Sequence, residues 1–169
     1  PGNHHQIEAG IEENDEDIVA YLDSLAPGAL DPDTLGAFME KGPELIRYLA
    51  DKTPVRFHAY ADFPDYQPYM PGAKPDGGRS LDNDAFSFER LGKWASRVNP
   101  TKMAYPMRGS LMEAVSGSLD EATLAEREQG DFRGLGQALV GALFLAVLER
   151  EIPVEFEKRA RSLVKHDGR

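Results

Sequence analysis

The 169-residue chain contains no cysteine. That excludes disulfides, thiolate metal sites and a cysteine nucleophile together, and fits a reducing, cytoplasmic location. The chain also lacks any run near the roughly 18 uninterrupted apolar residues of a spanning helix. Its first residues, Pro1-Gly2-Asn3-His4-His5, have neither the basic start nor the apolar stretch of a secretion signal, so no membrane insertion is expected. Basic residues are scarce in one region only. Residues 1–51 hold 12 acids against Lys41 and Arg47, whereas residues 52–169 hold 17 acids and 17 bases. The net charge of −10 therefore lies in the first third, and an acidic face repels phosphate backbones, so nucleic acid is not an expected partner.

Several catalytic signatures are missing as well. There is no GxxxxGK[ST] loop and no G-x-S-x-G elbow, and Ser110 and Ser116 in their glycine-flanked settings read as turn residues. Gly134-Leu135-Gly136 invites a dinucleotide-binding reading. However, Leu139 occupies the third glycine position and the preceding residues 128–133 are not a buried strand. These glycines read as a tight start to a helix and a close packing contact. His4 and Glu8 would share a helical face, but no second ligand pair follows at metal-site spacing, and His58 and His166 are isolated in sequence. No metal is expected.

What is present, 41% apolar and 28% charged residues, suits one globular domain over 1–169. Residues 1–13 show no clear period. Asn14 then caps a helix with Asp15, Glu16 and Asp17 in its first turn and Ile18, Leu22 and Leu25 on one face. Asp31-Pro32 starts a second helix with a stripe of Leu35, Phe38 and Met39, which Gly42-Pro43 should break, so that Leu45, Ile46 and Leu49 form a third. From Val55 the period becomes two: Val55, Phe57, Ala59 and Ala61 face inward, and Arg56, His58, Tyr60 and Asp62 outward. Short helices are expected over 88–97 around Leu91 and Trp94, and over 119–128 after Ser118 or Asp120. A deeply buried helix is expected over 134–150, with Leu139, Leu143, Ala146, Val147 and Leu148 covering more than half of it. Residues 153–156 and 161–165 read as two strands, with Asp167-Gly168 as a hairpin turn.

Between these elements, residues 62–86 read as irregular. Pro64, Pro68, Pro71 and Pro75 stiffen the segment, Gly72, Gly77 and Gly78 turn it, and Phe63, Tyr66, Tyr69 and Met70 make it apolar. A loop both stiffened and aromatic fits binding better than spacing. Tyr66 and Tyr69 can donate to, or take a proton from, a carbonyl substrate, and Arg79 can fork onto a carboxylate. Packing of the phenols beneath the loop is the competing reading from composition alone.

Asp65-Tyr66-x-Pro68-x-x-Pro71-Gly72, ending in Gly78-Arg79-Ser80-Leu81, resembles the central domain of FAD-dependent oxidoreductases related to 3-ketosteroid Δ1-dehydrogenase and the fumarate reductase flavoproteins. Three further segments agree in order: Pro1-Gly2-Asn3 with Gly10-Ile11, Asp15–Leu22 with Asp31–Leu49, and Gly134–Leu139 with Glu149–Val154. The elements read above make an α+β fold, several helices on a small, mostly antiparallel sheet, which the resemblance likens to the catalytic domain of succinate dehydrogenase and fumarate reductase flavoproteins. The resemblance implies FAD held mainly by flavin-domain segments absent here, with Asn3 as a cofactor contact. It also implies a substrate-side domain that is redox-inactive alone and pairs with the flavin-binding domain of the same polypeptide. The parent would desaturate a hydrophobic, steroid-like ketone, passing hydride to flavin. Tyr66 would be the base, Phe63, Tyr69 and Met70 the walls, and Arg79 the residue orienting the loop. Two alternatives remain: a reductase of a small unsaturated acid with Arg79 clamping its carboxylate, or a non-enzymatic interaction module with an acidic face at residues 8–44.

Overall fold

Helix α6 (Leu135–Glu149) organises the core because small residues recur on one of its faces. Ala138, Gly141, Ala142, Leu145 and Ala146 are its buried positions, the i, i+3, i+4, i+7, i+8 series of a helix stripe. Gly141 lies so close to Phe86 and Phe88 that a Cβ there would sit 2.9 Å from both rings. Phe88 is fully buried and meets Phe86 edge-on at 6.0 Å, while the Arg133 guanidinium lies 3.7 Å from its centroid. Val55 and Leu91 complete this cluster. The computed structural model describes residues 2–99, 107–162 and 164–166.

Around this core run α1 (His4–Glu8), α2 (Asp15–Leu25), α3 (Pro32–Lys52), β1 (Phe57–Ala59), β2 (Leu81–Asn83), β3 (Phe86–Ser87), a 3₁₀ segment (Phe88–Arg97), α4 (Leu111–Ser116), α5 (Glu121–Gln129) and β4 (Phe132–Arg133). The strands pair antiparallel as β1 with β2, Phe57 opposite Asn83, and β3 with β4, Phe86 opposite Arg133. The fold is α+β, as the sequence implies, with two two-stranded ribbons in place of one small sheet. Asn14 and Asp120 cap α2 and α5 through the N–H groups of Glu16 and Thr123.

Several sequence expectations need correction. Gly42-Pro43 does not break the helix; α3 runs through Pro43, where the missing N–H bond and the crowding of the ring against the preceding turn weaken the helix locally and the turns on either side carry it on. Of the expected α3 stripe, Phe38 is 57% exposed and no residue of the helix is fully buried. In α2, Tyr21 rather than Leu25 joins Ile18 inside. The outward assignment of Tyr60 fails too: β1 ends at Ala59 and Tyr60 is buried. The 62–86 stretch holds β2 and β3. Residues 1–13 contain α1, whose signal is the Asn3–Gln6 capping box rather than any period. Ser110 likewise caps α4 in a box with Glu113. Gly92, at φ 53, kinks the 3₁₀ segment. Helix α6 is buried on one face only, with Leu143 and Val140 exposed. Residues 153–156 and the described part of 161–165 form no strand, and Phe156 instead stacks on Trp94 at 5.9 Å. The turn at Asp167-Gly168 lies outside the described residues.

Phe88→Ala should lower the unfolding free energy by about 3–5 kcal/mol in a urea titration, through lost burial plus a cavity that Gly141 cannot fill. Glu113 sets an acid limit. Arg127 donates to both of its oxygens, at 2.9 and 2.6 Å, and the Ser110 N–H donates at 2.8 Å. The Arg127 hydrogen bonds outweigh the opposing effect of burial and bring its pKa down to about 2 from 4.5. A carboxylate stabilised in the fold contributes fully above its unfolded value and progressively less below it. Thermal stability should therefore fall as pH drops from about 4.5 toward 2, and Glu113→Gln should flatten that slope.

Candidate functional site

The loop between β1 and β2 is closed at its neck, where Tyr60 N–H donates to Ser80 O at 2.9 Å and Gly78 N–H to Tyr60 O at 3.2 Å. Its waist is crossed by Asp65 N–H to Lys74 O at 3.1 Å and Lys74 N–H to Asp65 Oδ2 at 2.8 Å. Two glycines allow this course. Gly72 has φ +71, and a Cβ there would meet Asp17 O at 2.0 Å; Gly77 has φ +92, and a Cβ there would meet Ala61 O at 2.4 Å. Both positions exclude other L-residues by conformation and by space.

Beneath the loop lies a buried charge cluster. Arg79 donates from Nε and Nη2 to the two oxygens of Glu13, both at 3.1 Å, from Nη1 to Asp65 Oδ2 at 2.6 Å, and from Nη2 to Gly72 O at 3.0 Å. The Glu13 side chain is 4% exposed and Asp65 8%. Burial works against the Glu13 charge, but the Arg79 hydrogen bonds and charge outweigh it and hold the carboxyl below its ordinary pKa. Conversely, Glu13 overcomes the burial of Arg79 and raises its pKa. Arg79 also lies 5.3 Å from the Tyr21 ring centroid, and the Tyr21 hydroxyl accepts from Gln67 N–H at 3.2 Å.

Above this cluster an aromatic series runs outward. Buried Tyr60 stacks on Phe63 at 4.9 Å, and Phe63 meets Tyr66 edge-on at 5.9 Å. Tyr66 is 85% exposed and Tyr69 98%. The structure thus presents both phenols to solvent from a braced loop, instead of packing them beneath it. Met70, on the same loop, is 36% exposed.

The structure brings Phe63, Tyr66, Tyr69 and Met70 onto this one loop and sets Arg79 under it. Four of the five N–H groups of Arg79 are committed to Glu13, Asp65 and Gly72, which leaves no fork for a ligand carboxylate. Asn3 is buried within the α1 cap: its Oδ1 accepts from His5 and Gln6 N–H, and its Nδ2 donates to Gln6 Oε1 at 2.7 Å. It also borders an apolar cavity of ≈ 340 Å³ between α2 and α3, with Tyr21, Leu22, Ile46 and Arg79. Glu13 escaped sequence reasoning because it reads as one more acid in an acidic run, with its partner 66 residues away.

Neither Gly134 nor Asn3 is free to hold a flavin phosphate. At Gly134 a Cβ would lie 1.9 Å from Gly109 O, so this glycine serves packing, and the Asn3 amide is engaged in its helix cap. A second polar group collects at α1 and β1. The His4 and His5 rings lie 3.9 Å apart, and His58 Nδ1 is 3.1 Å from Asp84 Oδ1. Burial, then neighbouring His4, lowers the His5 pKa. Among the described residues no three His, Asp or Glu side chains converge to hold a metal ion, and no helix is long and apolar enough to cross a membrane.

No protein-family model matches the chain. It is 24% identical to the 3-oxosteroid 1-dehydrogenase of Mycobacterium tuberculosis (strain H37Rv), over 99% of this chain and 33% of that one. It is 28% identical to the 4-oxocyclohexanecarboxylate 2-dehydrogenase of Sinomonas cyclohexanicum, over 96% of this chain and 28% of that one. The crystal structure of 3-ketosteroid Δ1-dehydrogenase from Sterolibacterium denitrificans, in complex with 1,4-androstadiene-3,17-dione, superposes with a TM-score of 0.71 at 25% identity, over 90% of this chain and 31% of that one. The chain is a homologue of the 3-ketosteroid dehydrogenases. It spans about a third of the length of the curated relatives it matches.

Gly72→Ala tests the seat of the loop. A methyl group forced against Asp17 O should lift the loop from α2 and speed limited proteolysis between residues 62 and 79, with cleavage read by mass spectrometry.

Proposed function

We propose that this chain is the substrate-side domain of a larger, cytoplasmic FAD-dependent dehydrogenase that desaturates a ketosteroid-like ring beside its carbonyl. The observation that carries the reading is the rigid presentation of Tyr66, 85% exposed over a buried ion cluster, in a chain aligned from end to end with ketone dehydrogenases. The exposed apolar face of α6 supports it. Val140 and Leu143 border a groove of ≈ 570 Å³ with Val98, Phe144, Val147 and Phe156, a surface suited to further polypeptide of the same protein. FAD would be held mainly by that further polypeptide, since Gly134 is closed in by Gly109 and the Asn3 amide is engaged in a helix cap.

The task left to this chain is proton removal and substrate placement. A hydrogen on the carbon beside a ketone is acidic because the carbonyl accepts the electron pair it leaves behind. Tyr66 Oη, presented to solvent, is the group we assign to take that proton. An ordinary phenol, with a pKa of about 10, is mostly protonated at neutral pH, so the complete site must help it toward the phenolate. Phe63, Tyr69 and Met70 supply apolar surface for the ring system. The reductase alternative draws no support from Arg79, whose guanidinium is occupied by Glu13 and Asp65.

Tyr66→Phe in the full-length enzyme should reduce ketosteroid turnover by about 100-fold or more, the usual contribution of a positioned base, with KM changed only a few-fold. Unchanged turnover removes Tyr66 from the role. A panel of ketosteroids, oxocyclohexane carboxylates and fumarate-like acids should show turnover with the ketones, and turnover with the acids alone rejects the reading.

A further inference from the structure

Three hydrogen-bonded attachments join the tyrosine loop to the segment 12–21: Lys74 Nζ donates to Glu12 O at 2.5 Å, Gln67 N–H to the Tyr21 hydroxyl, and Arg79 to Glu13. Only the last is both charged and buried. From these contacts we infer that Glu13 is a positioning residue for the proposed reaction: through Arg79 and Asp65 it fixes Tyr66 where the ketone is met. The inference rests on the functional reading above.

The path is short. One carboxylate would match the charge of Arg79, but a guanidinium this little exposed (14%) also needs its N–H groups bonded, and three of those bonds go to Glu13 and Asp65 together. With glutamine at position 13 one of the two acceptor oxygens becomes a donor NH2, so the bidentate pair to Nε and Nη2 is lost and the fork would rotate toward Asp65, its remaining ionised partner. Asp65 directly precedes Tyr66 and also accepts from Lys74 N–H across the loop. Any shift of its carboxylate therefore reaches the Tyr66 backbone through one peptide unit. Glu13 bonds Arg79, which bonds Asp65, so its effect on chemistry runs through the phenol's position. Misplacement of a reacting group by ~1 Å can cost on the order of 100-fold in rate.

The test is a double-mutant cycle in the full-length, flavin-loaded enzyme, joined to hydrogen exchange. Glu13→Gln keeps the side chain's size and removes its charge; Arg79→Lys, which keeps the charge and loses the fork, is the second variant should the first fail to fold. In the otherwise unaltered enzyme either change should lower kcat about tenfold, with KM for the ketosteroid within twofold. In the Tyr66→Phe background the same change should alter kcat less than twofold, because the group being positioned is gone. Exchange at the Gln67 and Lys74 amides should quicken, while the Phe88 amide, bonded to Asp131 O, stays protected. Equal losses in both backgrounds, or unaltered exchange in the loop, overturn the inference. Failure of the dehydrogenase reading is seen separately, as absence of ketone turnover by the unaltered enzyme, and exchange then decides the positioning role by itself.

Discussion

The pairing of one guanidinium with two carboxylates, Glu13 and Asp65 on Arg79, is the constraint on which the tyrosine loop depends. Two buried acids and one buried base would each be costly alone. Together, and with Gly72 O, they satisfy one another and tie three places in the chain: the approach to α2, the start of the loop and its end. Everything the loop displays is displayed from that anchor. The glycines at 72 and 77 permit the approach, the stacked Tyr60 and Phe63 stiffen it, and Tyr66 and Tyr69 are left in solvent as a consequence.

The distribution of apolar surface is the second organising fact. The core around Phe88 draws on one stripe of α6, while the opposite stripe and much of α3 remain uncovered. A free-standing interaction module with an acidic face has little use for these apolar faces. They suit a domain lodged against more polypeptide, in keeping with relatives about three times the length of this chain. In the proposed function the same division would assign apolar walls and a phenol to this piece and the oxidant to further polypeptide.

The α+β class, the capped start of α2, the helix over 135–149 and the stiff aromatic loop were legible because each rests on local signals. Those signals are caps, periods, and the conformations of proline and glycine. The errors have one cause in common. Hydrophobic periodicity at Leu143 or Phe38 reports that a face is apolar, but not whether this chain supplies its cover. At Tyr60 the alternation stopped because the loop's neck, bonded to Ser80 and Gly78, turned the ring inward. At 153–156 β-type residues had no strand to pair with, and Phe156 found Trp94 instead.

Sequence by itself determined which residues could be rigid and which reactive: the prolines and glycines of 62–86, the phenols at 66 and 69, and the absence of cysteine and of any phosphate-binding loop. These are properties of single residues and near neighbours. Tertiary structure alone decided that Arg79 faces inward to Glu13 and that Tyr66 faces outward. Each of those outcomes is fixed by a contact across tens of residues or by burial, and neither is written in local order.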